Sequence, residues 1–391
     1  MNKLKKYICL VIIYIFNCFP IKHNKIMLFS YYGSQYGCNP KYITEYILKH
    51  YPADTFDLVW AFTDMKSKHH LLGVRKVKMM SIKYLYELCT SKVLITNFRT
   101  TDLYVKRKQQ YYIQTWHSSL RLKQIEKDAE TSLPQDYIKM AKRDSAKCDL
   151  LLSGCMFSTD IFKRAFWYSG KIFEFGTPRN DALFLNSVKK NEILRSLHIN
   201  GAQKIVLYAP TFRKNNSVEV NNLEFQRVLK SLQKKFEGEW TLLVKLHPHL
   251  IATSKDFIEK ASNVIDVTSY DDIQELLAIS DVLISDYSSL MFDFSITNRP
   301  CFLYVPDMNE YIQNDRELYF DIHDLPFIAA TSNEEMEKKI ENFNYDLYRS
   351  KLRNFLINIG SFEDGKASEH LLKEIKQVCF RKQGREVYEA V

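Results

Sequence analysis

Short apolar runs alternate with longer segments of helical apolar spacing along most of the chain. This alternation is typical of an α/β fold with parallel sheets. Strands are predicted at 26–30, 58–62, 93–97, 112–115, 150–153 and 172–175, and then at 205–208, 242–246, 264–267, 282–284 and 301–304. Helices are predicted at 42–48, 225–236, 273–279 and 290–296, and through the tail at 334–380.

The apolar pattern weakens between the two sets of strands, through Asn186, Lys189 and Lys190, and then reaches Asn200-Gly201. We therefore predict two Rossmann-like domains with a cleft between them. The predicted segments are a hydrophobic and basic helix at 1–22, a first domain at 23–185, a second domain at 186–380 and a tail at 381–391.

The N-terminal segment carries Lys3, Lys5 and Lys6 before a nearly continuous apolar run at 7–19. Its apolar core of about 13 residues is shorter than the roughly 20 that a membrane-spanning helix needs. No small-residue cleavage site of a signal peptide follows it. We expect a helix that lies on the cytoplasmic leaflet with its lysines near anionic headgroups, and the alternative is a helix buried in the core.

Charge and cysteine content narrow the class of protein. Lys and Arg outnumber Asp and Glu by 55 to 46, which gives a formal charge of +9. Such a surface suits an anionic membrane face or a phosphorylated substrate; nucleic acid is possible on charge alone, but no nucleic-acid module is present. The 8 cysteines form no CxxC pair, so neither zinc nor a disulfide framework is indicated, and a reducing compartment is favoured.

The stretch 281–293, DVLISDYSSLMFD, has the pattern of a strand, a polar turn and a helix. Ligands of open parallel sheets bind beyond the carboxyl ends of the strands, where helix N-termini attract anions. The hydroxyl groups of Ser285, Ser288 and Ser289 are placed to add donors to a phosphate. The alternative is that Ser285 or Asp286 only caps a helix.

A second candidate segment, TWHSSLRLK at 115–123, follows a predicted strand. Its His117 is flanked by hydroxyl residues and followed by the cations Arg121 and Lys123. Imidazole is the side chain best suited to take a proton near neutral pH, so we predict a catalytic role for His117, although an isolated histidine is more often structural.

Three further segments end predicted strands. The turn GTPRND at 176–181 contains Arg179, whose planar fork suits a phosphate, with a plain proline turn as the alternative. Thr211 and Arg213 follow the first strand of the second half. Lys245 and His247 end the next strand, where Pro248 prevents the chain from continuing as strand or helix.

Taken in order, these segments resemble the CDP-glycerol glycerophosphotransferase family, bacterial enzymes that prime or polymerise teichoic-acid-type chains. The resemblance spans about residues 25 to 360 and includes the 33–40 loop and the RELYFD segment at 316–321. It implies a GT-B architecture, a CDP-polyol donor, and transfer of a polyol phosphate, most simply glycerol phosphate, to a lipid-linked acceptor with release of CMP. The sequence departs from the family at Ser118-Ser119, where Gly-Thr is usual, and at His249, where Arg is common, so the polyol and the acceptor are less defined than the reaction.

By position, the resemblance makes His117 the base and His247 a second essential histidine near the donor phosphates, and it places Ser288 and Ser289 in the donor-binding segment. The other residues assigned to substrate binding are Arg121, Lys123, Arg179, Asn180, Thr211, Arg213, Lys245, Ser285 and Asp286. No acidic pair for a metal stands out in these motifs, although Mg²⁺ can accompany the donor.

The expected partners are a CDP-polyol, an undecaprenyl-linked or polymer acceptor for wall or capsule synthesis, and the cytoplasmic membrane leaflet, where the protein would be peripheral. No nucleic acid partner is expected. Two other functions are kept as alternatives: a GT-B glycosyltransferase that uses a nucleotide-sugar, and a non-catalytic protein that binds polyanions at the membrane surface.

Overall fold

The structure is a computed structural model that describes residues 3–184, 187–211, 222–246, 263–308, 310–311 and 317–380. Its helices, numbered here in chain order, are α1 (Lys3–Phe16), α2 (Cys38–His50), α3 (Ile82–Thr90), α4 (Gln135–Ser145), α5 (Met156–Ala165), α6 (Ser187–Ser196), α7 (Phe225–Phe236), α8 (Ile273–Ile279), α9 (Leu290–Ser295), α10 (Asn333–Glu341), α11 (Tyr345–Asn358) and α12 (Ala367–Phe380). Its strands are β1 (Lys22–Phe29), β2 (Asp57–Phe62), β3 (Arg75–Lys78), β4 (Ser91–Thr96), β5 (Tyr111–Gln114), β6 (Leu150–Leu152), β7 (Lys171–Phe173), β8 (Lys204–Tyr208), β9 (Trp240–Val244), β10 (Val264–Asp266), β11 (Val282–Ser285), β12 (Cys301–Tyr304) and β13 (Ile328–Ala330).

The strands form two separate sheets. Within the described residues, the first sheet has seven strands in the order β3-β2-β1-β4-β5-β6-β7, and the second has six in the order β10-β9-β8-β11-β12-β13. Every pair of neighbouring strands is parallel. Both orders start at a central strand, grow to one edge and then to the other, as in Rossmann-like sheets. The predicted α/β class with parallel sheets is confirmed.

Two edge strands were missed by the hydrophobic pattern. Strand β3 reads RKVK, and only Val77 in it is buried. Its Arg75 forms ion pairs with Asp57 and Glu87 instead of packing into a core. Strand β13 is three residues long and ends the second sheet. Edge strands are short and polar in many sheets, so they give little of the apolar signal on which the prediction rested.

The chain divides into two compact units. One contains residues 1–117, 125–181 and 362–391, and the other contains 118–124 and 182–361. The predicted bounds 23–185 and 186–380 differ from this division at 118–124 and 182–185, which belong to the second unit, and at the end of the chain, where α12 packs on the first sheet. Leu371, Leu372 and Ile375 of α12 are fully buried in the core that contains β1, β2 and β4. Burial of each such side chain stabilises the fold by about 1.5–3 kcal/mol, which holds α12 in the first unit.

Helix α1 has one buried and one exposed apolar face. Ile13 is fully buried in a core cluster, and Phe16 packs against the same cluster. The opposite face exposes the apolar side chains of Leu4, Tyr7, Ile8, Val11, Tyr14 and Ile15. One face of the helix is thus packed in the core, as in the alternative of a buried helix. The other face is exposed, as in the surface helix predicted from the sequence. Within the described ranges, no helix has the length and apolar character to cross a bilayer.

Candidate active site

The predicted site segments of the first unit follow the carboxyl ends of its strands. His117 comes after β5, the 176–181 turn comes after β7, and the segment 30–37 leads from β1 into α2. The carboxyl ends of parallel strands lie at one edge of a sheet, so the fold gathers these segments at the edge where α/β proteins bind ligands.

His117 is an exposed residue. Its Nδ1 atom lies 3.2 Å from the carbonyl oxygen of Asn97, which follows β4. A carbonyl only accepts, so Nδ1 carries the proton in the neutral ring and Nε2 holds the lone pair that a base needs. The ring also stacks on Trp116, with centroids 4.6 Å apart. This arrangement agrees with the predicted role of His117 as a base, which stays a prediction.

The backbone before His117 is held by Asn39. Its Nδ2 atom donates to the carbonyl oxygens of Trp116 at 3.1 Å and Thr115 at 3.2 Å. Asn39 lies in the first turn of α2, where Pro40 is tolerated because the amides of that turn have no partner inside the helix. The φ of Trp116 is +51°, a conformation that costs energy for a bulky residue and that needs such contacts to persist.

The 176–181 turn is joined to the same network. The backbone N–H of Arg179 donates to Oδ1 of Asn39 at 2.9 Å, and the Arg179 guanidinium lies 3.7 Å from the Cys38 sulfur. Arg179 is only 2% exposed, and Asn180 is fully buried. Asn180 donates from Nδ2 to Glu363. Both residues are thus built into the turn, and their predicted contact with substrate remains a prediction.

The segment Ser118–Gln124 belongs to the second unit, although His117 belongs to the first. Ser119 Oγ donates to Asp293 at 3.1 Å, and the Leu122 N–H lies 3.4 Å from Ser289 Oγ. An antiparallel bridge pairs Lys123 with Leu318, and the N–H of Tyr319 donates to the carbonyl of Leu122 at 2.7 Å. The residues that follow the candidate base are therefore fixed to the segment 317–319, which is part of the RELYFD motif.

The two predicted cations of this segment differ in exposure. Arg121 is 2% exposed, and its Nη2 donates to the carbonyl of Ser118 at 3.3 Å. Lys123 is partly exposed, with its ammonium 4.9 Å from the ring centre of Tyr311. Of the two cations, Lys123 is therefore the one that a phosphate group in solvent can reach more easily.

In the second unit, Ser285 and Asp286 tie the end of β11 to the end of β8. Ser285 is fully buried and donates to the carbonyl of Ala209 at 2.7 Å. The Asp286 carboxylate accepts from the backbone N–H of Thr211 at 2.9 Å and from its hydroxyl at 2.6 Å. These side chains shape the loop that carries Thr211, and a direct substrate contact for the three remains a prediction.

Ser288 and Ser289 are partly exposed at the start of α9. The hydroxyl of Ser288 accepts from the Leu290 N–H at 3.3 Å. Because α9 has six residues, its dipole is weaker than that of a long helix, so the two hydroxyls and the backbone amides are the main donors that this segment offers to an anion.

The ammonium group of Lys245 is hydrogen-bonded to backbone carbonyls of the protein. It donates to the carbonyl oxygens of Thr268 at 2.7 Å and Tyr270 at 2.5 Å. Burial lowers the pKa of Lys245 to about 8, against the opposing charges of nearby aspartates. It therefore holds the 268–270 loop next to β9. Arg213 and His247, together with Pro248, His249 and Arg316, lie outside the described residues.

Sequence reasoning missed four residues of this network: Asn39, Asn97, Asp293 and Glu363. Each is a polar residue that is fully or partly buried, and it bonds a partner at least 20 residues away in sequence. The 33–40 loop was noted as a family position, which could have pointed to Asn39. In the part of the chain that the structure describes, no group of three or more His, Cys, Asp or Glu side chains is arranged to hold a metal ion, and no disulfide joins the eight cysteines.

Two separate parallel sheets, each with a Rossmann-like strand order, agree with the predicted GT-B class of fold. The model of the CDP-Glycerol:Poly(glycerophosphate) glycerophosphotransferase family matches residues 12–377. The chain belongs to this family. The resemblance inferred from the motifs is confirmed, and so is the prediction of an enzyme of the polyol-phosphate transferase type.

Curated relatives with similar sequences act in teichoic acid synthesis. The chain is 32% identical over 367 residues to the teichoic acid poly(glycerol phosphate) polymerase of Staphylococcus epidermidis, which covers 90% of this chain and 50% of that protein. It is 32% identical over 372 residues to the polymerase of the same name from Bacillus spizizenii and to the teichoic acid glycerol-phosphate transferase of Staphylococcus aureus, with 90% of this chain and 92% of each relative covered. The teichoic acid ribitol-phosphate primase of Bacillus spizizenii is 26% identical over 366 residues, with 90% of each chain covered. The chain thus spans about half the length of the first of these relatives, and it spans most of the length of each of the other three.

Solved structures give the same result. The wall teichoic acid polymerase TagF superposes with a TM-score of 0.83 at 30% identity, over 96% of this chain and 94% of that one. A TagF variant soaked with CDPG superposes with a TM-score of 0.82 at 27% identity, over 98% of this chain and 100% of that one.

Proposed function

We propose that this protein transfers glycerol phosphate from CDP-glycerol to a hydroxyl group at the end of a lipid-linked acceptor and releases CMP, in the synthesis of a teichoic-acid-type or capsular polymer. The observation that carries the proposal is the geometry of His117: an exposed ring whose Nδ1 faces a backbone carbonyl, in a chain of this family. Glycerol is favoured over ribitol because identity is 32% to a glycerol-phosphate polymerase and 26% to a ribitol-phosphate primase of the same organism.

The proposed reaction is a displacement at the β-phosphorus of the donor. The acceptor oxygen forms a bond to phosphorus while its proton passes to Nε2 of His117, and the bond from phosphorus to the bridging oxygen breaks so that CMP leaves with that oxygen. Charge grows on the phosphate oxygens and on CMP, so nearby donors and cations lower the barrier. Lys123, Ser288 and Ser289 are proposed for this role, together with Arg179, Arg213 and His247.

The chemistry calls for no resident cofactor. We propose that Mg²⁺, where it takes part, would accompany the donor and would neutralise the charge of its diphosphate. Release of CMP in the presence of excess EDTA, compared with release after Mg²⁺ is restored, measures this dependence.

The test of the reaction is incubation of the purified protein with CDP-glycerol, CDP-ribitol or UDP-sugars, each with and without a lipid-linked acceptor. Acceptor-dependent release of CMP from CDP-glycerol supports the proposal. Release of nucleotide only from a UDP-sugar would favour the glycosyltransferase alternative. No release from any donor, combined with tight binding of anionic polymer, would favour the polyanion-binding alternative.

The role of His117 is tested with the variant His117→Ala, which should lower CMP release by about 10²-fold or more while donor binding is kept. His69→Ala is a matched control, because His69 is also exposed in the first unit and its Nδ1 lies 2.9 Å from a backbone carbonyl, that of Lys66. Equal activity of the two variants would remove His117 from the mechanism.

We also propose that α1 binds the anionic cytoplasmic leaflet, where a lipid-linked acceptor would be reached. Its exposed apolar face and the neighbouring Lys3, Lys5 and Lys6 match a helix lying in the headgroup region. Deleting residues 1–22 would also remove buried Ile13, so replacing Ile8 and Val11 together by Glu is the cleaner test. This variant should lose cosedimentation with phosphatidylglycerol vesicles, whereas Leu72→Glu, at an 84% exposed position elsewhere, should retain it. Full retention by both variants would contradict the proposal.

A further inference from the structure

Glu363 lies in the connection between α11 and α12, far in sequence from the candidate motifs. The backbone N–H of its neighbour Phe362 donates to the carbonyl of Gly154 at 2.9 Å, just beyond the carboxyl end of β6. This bond holds the connection at the same sheet edge as the 176–181 turn. The final segment of the chain therefore contributes a carboxyl group to the edge that carries His117.

The Glu363 carboxylate binds the 176–181 turn through three donors. Oε1 accepts from the Thr177 hydroxyl at 2.8 Å and from Asn180 Nδ2 at 3.0 Å, and Oε2 accepts from the Thr177 backbone N–H at 3.2 Å. Thr177 and Asn180 are fully buried. An ionised carboxylate has acceptor oxygens alone, so in this form Glu363 can accept from all three donors of the turn at once.

Gly176 shows how closely this carboxylate packs on the turn. Its φ is +84°, and a Cβ atom placed on it would lie 2.8 Å from Glu363 Oε2 and 3.3 Å from the carbonyl oxygen of Phe362. The glycine supplies both the left-handed backbone and the space for the carboxylate.

From this turn, hydrogen bonds lead to the backbone of the candidate base. The Arg179 N–H donates to Asn39 Oδ1 at 2.9 Å, and Asn39 Nδ2 donates to the Trp116 carbonyl at 3.1 Å, one residue before His117. Asn39 accepts on one side and donates on the other, so its amide cannot rotate without losing both sets of bonds. A shift of the turn is thus passed on to the peptide that carries His117.

We propose that Glu363 is a positioning residue of this active site: its carboxylate holds the 176–180 turn, and through Asn39 the turn fixes the backbone that presents His117. The expected effect on catalysis rests on the proposed function. The structural coupling between Glu363 and the backbone of His117 does not depend on that function.

The ionisation of Glu363 makes the coupling sensitive to pH. Burial raises the pKa of Glu363 to about 7, and the charge of Asp181 on the same turn adds to the rise, while the bonds from Thr177 and Asn180 oppose it. A protonated carboxyl has one acceptor position replaced by a donor, so it no longer accepts all three bonds in the way that the carboxylate does. Below neutral pH the turn is therefore held less firmly.

The kinetic test compares Glu363→Gln with the wild type across pH. If protonation of Glu363 slows the reaction about 10-fold, the acidic limb of log(kcat/KM) for the wild type falls about one log unit further below pH 7 than that of Glu363→Gln, and its slope there is steeper. The variant should also lose roughly 10-fold in kcat with little change in the donor KM, because a misplaced base slows the chemical step. An unchanged slope with an unchanged kcat would overturn the inference.

Glu374→Gln is the matched control. Glu374 is a carboxylate of the same C-terminal segment, and it bonds the Tyr111 hydroxyl at 3.1 Å and the Lys171 ammonium at 2.8 Å. Tyr111 and Lys171 begin β5 and β7, so these contacts lie at the opposite edge of the sheet. Glu374→Gln should keep the wild-type slope.

A second readout needs no substrate, and a variant, His117→Ala, is used only to assign the signal. In wild-type protein with ¹³C-labelled histidine, the His117 resonance should report its own titration and a second one near pH 7 from Glu363. A single titration would overturn the coupling. If the second titration is present but no CMP is released from CDP-glycerol, the proposed function fails while the coupling stands. If CMP is released but only one titration is seen, the coupling fails while the proposed function stands.

Discussion

The Nδ1 atom of His117 lies 3.2 Å from the carbonyl oxygen of Asn97, so the backbone after one strand selects the tautomer of a side chain that follows the next strand. The carbonyl belongs to the main chain and has no proton to give. We expect the neutral ring of His117 to be protonated at Nδ1 and not at Nε2. Histidine ¹³C and ¹⁵N chemical shifts above the titration range report the tautomer, with His117→Ala to assign the signal among the 10 histidines. A predominant Nε2–H form would contradict this prediction and the role of base.

Gly176→Ala should destabilise the protein by about 1–2 kcal/mol or more, because alanine is disfavoured at a φ of +84° and its Cβ would meet Glu363 Oε2 at 2.8 Å. Gly201→Ala is the control, since a Cβ there has no neighbouring atom within 4 Å. Urea unfolding of both variants gives the comparison. Equal midpoints would mean that the turn adapts without strain. We also expect Gly176→Ala to lower CMP release, because the displaced carboxylate is the one that holds the turn.

The fold was predictable from the sequence because its inner strands are nearly continuous apolar runs. The Val282–Ser285 strand is buried along its whole length, and its apolar pattern alone indicated a strand. The charged β3 strand was not predictable in this way, because its stability comes from ion pairs such as Arg75 with Asp57 and from the strand beside it.

The candidate site was predictable only in part. His117 and the serines at 288 and 289 stand in recognisable segments at strand ends. Asn39 and Glu363 depend on partners at sequence separations of 77 and 183 residues, respectively, and no local pattern records such a contact. The assignment of Ser118–Gln124 to the second unit was not predictable for the same reason. Its bonds to Asp293 and Tyr319 join residues that are far apart in sequence and form only in the folded chain.

Asp286→Ala should raise the KM for the donor by about 10-fold and lower stability by about 1–3 kcal/mol, because the Thr211 N–H and hydroxyl both lose their acceptor beside Ser288 and Ser289, the serines predicted to bind the donor. Asp281→Ala is the control at the other end of the same strand. Asp281 likewise accepts from a backbone N–H of β8, that of Ile205 at 2.8 Å. Both variants should lose stability, but only Asp286→Ala should weaken donor binding, measured by calorimetry with CDP-glycerol. Equal donor affinity in the two would show that the 209–211 loop has no part in binding.

The ionisation of Glu363 should also make stability depend on pH. The side chain titrates near 4.5 when the chain is unfolded and at about 7 when it is folded, because burial disfavours its charge. Between these values the folded state binds more protons than the unfolded state, so the free energy of unfolding falls as pH rises and the contribution is lost by about pH 7. After allowance for the partial exposure of the residue, the loss between pH 5 and pH 8 is about 1–2 kcal/mol.

Urea unfolding of the wild type and of Glu363→Gln at these two pH values measures this loss, since glutamine does not titrate. The wild type should lose about 1–2 kcal/mol more than the variant between pH 5 and pH 8. Parallel behaviour of the two proteins would place the folded pKa of Glu363 near its ordinary value. The ionised form of Glu363, which accepts all three bonds of the turn, is then also the form that makes the fold less stable. This combination is expected of a charged group that serves the geometry of a site at a cost in stability.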